Sequence, residues 1–261
     1  MDREAALFIV VKGTVLFIDN DEVVYSGGGM PRTARIAPLN YVYHVMTRGN
    51  NRQSVFKDDE DYSRYLEILR QYKLKYKFKL YHYVLMSNHV HLVLQPSDHG
   101  GSLAEIMKGI NVSYAYHYKK KYKHVGHFWQ DRYKSIIVSA DEYLLSCGRY
   151  VELNPVRAHL VDDPREYTWS SYHWYAYGGY NPVVDTQPAY QGLGRNAGER
   201  QQRYRGFVKG MLEEKKAMKG EMERRLVYGG REFIGTLSRK HTIAGHVRSI
   251  GMPRKQSDDD K

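Results

Sequence analysis

The chain has 261 residues, enough for one sizeable hydrophobic core or for one domain with an appendage. Its 40 Lys and Arg residues outnumber 29 Asp and Glu residues, and the resulting net charge of +11 is typical of proteins that bind an anionic partner such as nucleic acid. The single cysteine, Cys147, excludes an intrachain disulfide framework and a multi-cysteine metal site, and it is typical of a cytoplasmic protein.

The first 29 residues form an extension that ends in the glycine-rich stretch SGGG. Two interpretations of residues 1–29 stay open: either Met30 is the working start of the protein, or ALFIVV and TVLFID are a small strand pair added to the domain. Lys12 and Gly13 interrupt the apolar run, and no small-residue cleavage site follows it. We therefore expect no signal peptide, no membrane-spanning segment and no membrane partner.

Strand and helix patterns are readable from Asn40 onwards. The segment YVYHVMT alternates and is rich in β-forming residues, so it predicts a strand. DDEDYSRYLEILRQYKLKYK begins acidic and ends basic, as the helix dipole favours, and predicts a helix. FKLYHYVLM and HVHLVLQ then predict two strands joined by a turn at Ser87 and Asn88.

The remaining elements of this domain follow in the same way. SLAEIMKGINVSYAYHYKKKY predicts a second helix, capped by Ser102 with Glu105 three residues later. YKSIIVS predicts a fourth strand, and ADEYLLSCGRYVELN predicts a third helix that ends at Pro155. Cys147 lies within this helix, where we expect it to be a small buried residue.

The order strand, helix, strand, strand, helix, strand, helix is that of the ferredoxin-like split βαβ fold with one additional helix. It predicts an α+β domain, with an antiparallel sheet that carries helices on one face and leaves its second face open to a partner. We assign residues 30–175 to this domain and residues 176–261 to an aromatic and charged C-terminal extension that is partly helical. We expect EYTWSSYHWYAYGGYNP to be a long loop and GERQQRYRGFVKGMLEEKKAMKGEMERRL to be helical.

Two histidines, His89 and His91, lie two residues apart in the third strand and project from the same face. Two neighbouring imidazoles can share a divalent metal ion, although most pairs with this spacing are structural. His44 and His82 on the neighbouring strands could instead join them in a histidine cluster, and His82 is an alternative ligand.

The third helix offers groups that would complete such a site. Tyr150 and Asn154 are four residues apart and lie on one helix face, so the Asn154 amide oxygen could serve as a third ligand beside the two histidines. The remaining open positions suit Mg²⁺ or Mn²⁺ and phosphate oxygens. The Tyr150 phenol could then attack a phosphodiester, leaving the DNA 5′ end on tyrosine and releasing a 3′-hydroxyl. Glu152 is expected to be a surface or capping carboxylate, and with 24 tyrosines in the chain Tyr150 could equally be a packed aromatic residue.

Four segments of the chain, YHVMTRGNNRQSVF, HYVLMSNHVHLVLQP, FWQDRYKSIIV and YLLSCGRYVELNPVRAHLV, strongly resemble the REP-associated tyrosine transposases of the single-tyrosine HUH superfamily. The resemblance implies that Tyr150 is the nucleophile, that His89 and His91 are metal ligands and that Asn154 is the third ligand. It also implies Mg²⁺ or Mn²⁺ as the cofactor and single-stranded or hairpin DNA from palindromic repeats as the partner. Members of the superfamily are monomers or homodimers, and the sequence leaves this choice open.

Several basic and aromatic residues are candidates for holding DNA. The DNA-binding candidates are Arg48, Arg52, Trp129, Arg132, Lys134 and Arg157. Each could equally be a solvated cation or a core aromatic residue. Two other functions stay open: a non-catalytic ferredoxin-like module that binds nucleic acid, and a metal hydrolase that uses water.

Overall fold

The computed structural model describes residues 7–11, 14–19, 22–26, 37–140, 142–213, 227–240 and 245–247. The chain divides into two compact units, one made of residues 1–35 with 218–261 and the other of residues 36–217. Within the described residues, no helix combines the length and the apolar character that crossing a membrane requires.

The described residues form strands mainly in the first half of the chain and helices mainly in the second half. The strands are β1 (Leu7–Val11), β2 (Thr14–Asp19), β3 (Glu22–Ser26), β4 (Val42–Arg48), β5 (Lys79–Met86), β6 (His89–Gln95), β7 (Lys134–Val138), β8 (Val227–Tyr228) and β9 (Gly245–Val247). The helices are α1 (Asp59–Tyr76), α2 (Leu103–Tyr122), α3 (Glu142–Glu152), α4 (Asn154–Arg157), α5 (Tyr172–Tyr177), α6 (Pro188–Gln191), α7 (Ala197–Glu213) and α8 (Arg231–Lys240).

The smaller unit contains an antiparallel sheet in the order β3, β2, β1, β9. Strands β1 and β2 form a hairpin in which Val11 lies opposite Thr14. The strand pair of the second interpretation is therefore present, and the assignment of residues 1–29 as an extension stays a prediction. The unit also holds β8 and α8.

The larger unit is built on antiparallel strands in the order β5, β6, β4, β7. The predicted α+β fold, with its split βαβ order and its additional C-terminal helices, is confirmed. In the register of β4 and β6, Met46 lies opposite His91 and Arg48 lies opposite His89. Because side chains alternate along a strand, these four residues and His44 project from one face of the sheet, which we call the histidine face.

Helices α1 and α2 pack on the opposite face of this sheet. The Asn111 side chain of α2 donates a hydrogen bond of 3.4 Å to the hydroxyl of Thr47, which alternates with the residues of the histidine face. Tyr65 of α1 and Tyr114 of α2 are fully buried between the helices and the sheet. Helix α2 begins as predicted, with Ser102 and Glu105 forming a capping box.

The histidine face is covered as well, which corrects the expectation that the second face of the sheet is open. Helix α3 lies on this face, and its residues Cys147 and Val151 are fully buried. The helix has one strongly apolar side, and burying that surface is favourable. The prediction that Cys147 is a buried structural residue is confirmed.

The outer edge of β5 is covered by a later segment of the same unit. The Leu85 N–H donates to the Trp169 carbonyl at 2.9 Å, and the Ser171 N–H donates to the Tyr83 carbonyl at 3.0 Å. Further along the edge, the Asp185 N–H donates to a β5 carbonyl at 2.7 Å. These bonds occupy backbone groups that an edge strand would otherwise expose.

The aromatic segment expected to be a loop contains helix α5, so that part of the prediction is wrong. Tyr172 and Tyr175 are buried, and the helix ends at Gly178, whose positive φ of 70° favours glycine. Burial of these aromatic side chains stabilises a helix that is too short to form alone. The predicted charged helix is found as α7 up to Glu213, and its remainder, residues 214–226, lies outside the described residues.

Candidate active site

The two histidines of β6 meet a third histidine from β4. His91 is fully buried, and its Nδ1 lies 2.8 Å from Nε2 of His44. Their rings stack with centroids 5.0 Å apart, and the His89 ring lies edge-on to His91 at the same centroid distance. The histidine cluster that the sequence suggested therefore forms with His44.

Hydrogen bonds determine which ring nitrogens of the pair can act as ligands. His89 Nδ1 lies 2.6 Å from Oδ1 of Asn88, which can only accept, so this ring is protonated on Nδ1. If His91 Nδ1 likewise donates to His44, both rings of the pair carry a lone pair on Nε2. His91 Nε2 is buried and has no hydrogen-bond partner in the described part of the chain. Unprotonated Nε2 with the other nitrogen donating is the usual state of metal-binding histidine.

The imidazoles of the cluster are held in their neutral form. Burial lowers the pKa of His44 to about 4, and burial together with the charge of Arg48 lowers the pKa of His89 to about 4. Burial, followed by the neighbouring His44 and His89, brings the pKa of His91 well below its usual range. Neutral imidazoles near pH 7 are the form that coordinates a metal ion.

Tyr150 on α3 lies directly beside this cluster. Its ring centroid is 5.8 Å from that of His44 and 6.3 Å from that of His91, in edge-to-face arrangements. The side chain is only 3% exposed. The phenol is therefore next to the imidazoles, as the sequence analysis required, and a substrate reaches it only if the covering side chains move.

Arg157 covers the other side of the Tyr150 ring. Its guanidinium carbon lies 4.4 Å from the ring centroid, and its Nη1 donates to the Tyr150 carbonyl at 2.8 Å. Asn154 uses its amide nitrogen to bond the carbonyls of Tyr150 and Val151 at 2.9 and 3.1 Å. These contacts leave the Asn154 side-chain oxygen as its remaining polar atom for a ligand role.

The histidines at this place fit a divalent ion only if an oxygen ligand that is not a carboxylate takes part. Within the described residues, no group of three or more His, Cys, Asp or Glu side chains forms a metal site. The unpartnered Nε2 of His91 is nevertheless an atom that a cation would satisfy. An amide oxygen such as that of Asn154 is the type of donor that Mg²⁺ and Mn²⁺ accept.

His82, the alternative ligand considered from the sequence, is already bonded through both ring nitrogens. Nδ1 lies 2.8 Å from Oε1 of Glu152, and Nε2 lies 3.1 Å from the side-chain nitrogen of Gln187. The expectation that Glu152 is a surface or capping carboxylate is wrong, because its side chain is fully buried. The carboxylate also accepts hydrogen bonds from Ser171 at 2.6 Å and Tyr204 at 2.7 Å.

Gly148 lets α3 approach the His82 ring. A Cβ atom at this position would lie 2.3 Å from His82 Nε2. We expect Gly148→Ala to lower the free energy of unfolding by about 1–3 kcal/mol, because Glu152 and Gln187 hold the ring that would have to move. Equilibrium urea denaturation measures this change.

A second helical glycine provides the control. For Gly206 on α7, the described residues place no atom within 4 Å of the corresponding Cβ position. Gly206→Ala should therefore be neutral or stabilise the fold by up to about 1 kcal/mol, as alanine normally does inside a helix. Equal destabilisation by the two substitutions would contradict the close approach of α3 to His82.

The structure brings several of the DNA-binding candidates to one end of the sheet. Gly49, which follows Arg48, bonds the Asn88 carbonyl at 2.9 Å, and the Arg48 carbonyl accepts from Gln130 at 2.9 Å. Arg48, at the end of β4, is thus close to His89 and to the segment that contains Trp129. Arg52, Arg132 and Lys134 are exposed in the neighbouring segments.

Trp129 and Arg157 have further contacts with the protein. Trp129 is half-buried, and its indole nitrogen donates to the Asn111 carbonyl at 2.9 Å. Its ring also lies edge-on to Phe128, with centroids 4.6 Å apart. Arg157 lies over Tyr150 rather than among the exposed cations.

Sequence reasoning missed the contacts of Glu152 and Arg157. The partners Ser171 and Tyr204 lie far along the chain from Glu152, and no local pattern connects them to it. For Arg157, its spacing of seven residues from Tyr150 places both on one face of a continuing helix.

Comparison with known proteins identifies the domain that carries this site. Residues 38–154 match the family model of IS200-like transposases. A solved REP-associated tyrosine transposase bound to a REP hairpin is 16% identical, with a TM-score of 0.49, and the alignment covers 60% of this chain and 92% of that one.

A structure from Deinococcus radiodurans R1 that is described as a transposase is 19% identical, with a TM-score of 0.34, over 50% of this chain and 92% of that one. No curated protein matches the chain. The matched range of the family model contains the histidine pair and Tyr150. The predicted resemblance is thus confirmed for residues 38–154, which match the family model of IS200-like transposases.

Proposed function

We propose that this transposase domain is a metal-dependent DNA strand transferase that uses Tyr150 as its nucleophile. The observation that carries the proposal is the placement of the Tyr150 ring beside His91 and His44, at centroid distances of 6.3 and 5.8 Å. A phenol next to imidazoles that could hold a metal ion suits tyrosine-based transesterification. A hydrolase that activates water has no use for this phenol.

His89, His91 and the Asn154 side-chain oxygen are the groups that would hold Mg²⁺ or Mn²⁺. The unpartnered Nε2 of His91 and the hydrogen bond that leaves a lone pair on His89 Nε2 support this assignment. The chemistry supplied by a divalent ion at such a site is stabilisation of the negative charge that develops on the phosphate.

In the proposed reaction, the Tyr150 oxygen attacks the phosphorus atom of a DNA phosphodiester. The bond from tyrosine oxygen to phosphorus forms as the bond from phosphorus to the 3′-oxygen breaks. The phenol loses its proton, the leaving 3′-oxygen gains one, and the 5′ end of the DNA stays attached as a phosphotyrosine. The Arg157 guanidinium, 4.4 Å from the ring centroid, favours the negative charge that develops on the phenol oxygen.

The substrate we propose is single-stranded or hairpin DNA. The net charge of +11 suits a polyanion. Arg48, Arg52, Arg132 and Lys134 lie near the His89 end of the sheet, where they would bond phosphates and guide a strand towards Tyr150. The exposed part of the half-buried Trp129 ring would stack on an unpaired base.

The experiment that tests this function is incubation of the chain with labelled hairpin DNA and Mn²⁺, followed by a denaturing gel and mapping of the modified residue. We expect a covalent protein–DNA adduct that maps to Tyr150 and that requires the metal ion. Metal-dependent retention of DNA without cleavage would instead favour a non-catalytic nucleic-acid module. Turnover without any adduct would favour a hydrolase that uses water.

A further inference from the structure

A buried carboxylate, that of Glu152, lies on the side of helix α3 that faces away from Tyr150. Glu152 has no exposed surface. Its Oε1 accepts from Ser171 Oγ at 2.6 Å and lies 2.8 Å from His82 Nδ1, while its Oε2 accepts from Tyr204 at 2.7 Å. A carboxylate in the interior persists only when such donors replace its water.

The donors around Glu152 are consistent with a fixed arrangement of protons. The side-chain nitrogen of Gln187 can only donate, so the neighbouring Nε2 of His82 accepts and Nδ1 carries the proton that is donated to Glu152. Burial, and next the Glu152 charge, raise the pKa of Tyr204 well above its usual range, so this hydroxyl remains a donor. The Tyr175 ring stacks on His82 with centroids 4.4 Å apart and restricts its movement.

Glu152 and Tyr150 are two residues apart in the same helix, so their side chains leave the axis about 200° apart. One side chain contacts the histidine cluster, and the other contacts a polar network. A shift of α3 that moved the Tyr150 ring away from His91 would also break hydrogen bonds of a buried carboxylate. The network therefore resists the movements that would misplace the phenol.

Two of the donors lie outside the residues that match the family model. The match ends at residue 154, whereas Ser171 precedes α5 and Tyr204 lies in α7. The segment after residue 154 thus contributes groups that hold the nucleophile-bearing helix against its own sheet. The third partner of Glu152, His82, belongs to β5 and lies within the matched residues.

We propose that Glu152 is a positioning residue for Tyr150, and that it acts through Ser171 and Tyr204 of the segment that follows the family match. This inference rests on the proposed function, in which Tyr150 is the nucleophile. Glu152 itself touches neither the substrate nor the metal ligands in this proposal. Its effect is on the fraction of molecules in which the phenol has the geometry for attack.

The test compares the single-turnover rate of adduct formation on labelled hairpin DNA, with Mn²⁺ saturating, for the wild type, Glu152→Ala and Glu152→Gln. We expect Glu152→Ala to react roughly ten- to a hundredfold more slowly, because small misplacements of a nucleophile have effects of this size. Glu152→Gln should react at an intermediate rate, since its amide oxygen still accepts from Tyr204. The dissociation constant for the hairpin should change by less than about twofold, because the DNA-binding groups are elsewhere.

Asp61 of α1 provides a matched control. It is also a fully buried carboxylate, it accepts from Lys57 N at 2.9 Å and Tyr122 at 2.8 Å, and it belongs to a helix on the opposite face of the sheet. Asp61→Ala should destabilise the domain but leave the rate of adduct formation within about twofold of wild type at a temperature where both are folded. Equal slowing by Asp61→Ala and Glu152→Ala would overturn the positioning role, as would a Glu152→Ala variant that reacts like the wild type.

If Glu152→Ala does not fold, Tyr204→Phe decides the question, since it removes one donor and keeps the ring. It should slow adduct formation roughly three- to tenfold, and an unchanged rate would overturn the proposal. Failure of the proposed function gives a different result. In that case the wild type forms no adduct, or forms one at another residue.

Discussion

Tyr150→Phe is expected to abolish the covalent attachment of DNA while binding of the hairpin is retained. Only the hydroxyl is removed, and the ring keeps its contacts with His44, His91 and the Arg157 guanidinium. Because the phenol oxygen is the atom that forms the ester in the proposed reaction, adduct formation should fall by at least about a thousandfold. A denaturing gel with labelled hairpin DNA measures the adduct, and fluorescence anisotropy measures binding.

Tyr114→Phe serves as the control for this substitution. Tyr114 is another fully buried tyrosine, and its hydroxyl donates to the Val55 carbonyl at 2.6 Å on the opposite face of the sheet. This variant should lose some stability and still form the adduct. If Tyr150→Phe forms as much adduct as the wild type, Tyr150 is not the nucleophile.

Replacing both His89 and His91 by alanine is expected to remove metal-dependent cleavage. The two imidazoles are neutral and adjacent, and the bond to Asn88 leaves a lone pair on His89 Nε2, so their loss removes two of the three proposed ligands. We expect both Mn²⁺ affinity and the cleavage rate to fall by at least about a hundredfold, since the loss of groups that merely support a ligand already costs up to this amount. Isothermal titration with Mn²⁺ measures affinity without reference to activity.

The corresponding control is the double replacement of His99 and His173, which are both exposed. It removes the same number of imidazoles from the chain and should leave Mn²⁺ affinity and cleavage unchanged. Unaltered metal-dependent cleavage in the His89→Ala/His91→Ala variant would show that the ion binds elsewhere.

The core of the fold was predictable because its signals are local. Alternation identified the strand with His44, the pair Ser87–Asn88 marked the turn between β5 and β6, and the capping box at Ser102 and Glu105 marked the start of α2. Helix α5 was missed for the opposite reason. Its six residues, Tyr172–Tyr177, are too few to show a helical period, and the helix is stabilised by burial against distant parts of the chain.

The candidate site was predictable to the extent that spacing determines geometry. A separation of two residues on a strand placed His89 and His91 together, and family resemblance singled out Tyr150 from 24 tyrosines. The side of α3 that carries Glu152 was not predictable. Its contacts depend on how α7 and the segment before α5 pack on the helix, which is a property of the tertiary structure and not of the residues around position 152.

The outer edge of strand β5 (Lys79–Met86) is not available for pairing with other molecules. The backbone of Tyr83 and Leu85 is already paired with the Trp169–Ser171 segment. A chain shortened to end before Tyr167 would expose these amides and carbonyls. The exposed strand edge could then pair with strands of neighbouring copies. Shortened versions of the protein should therefore self-associate and precipitate, even when every residue of the family match is retained.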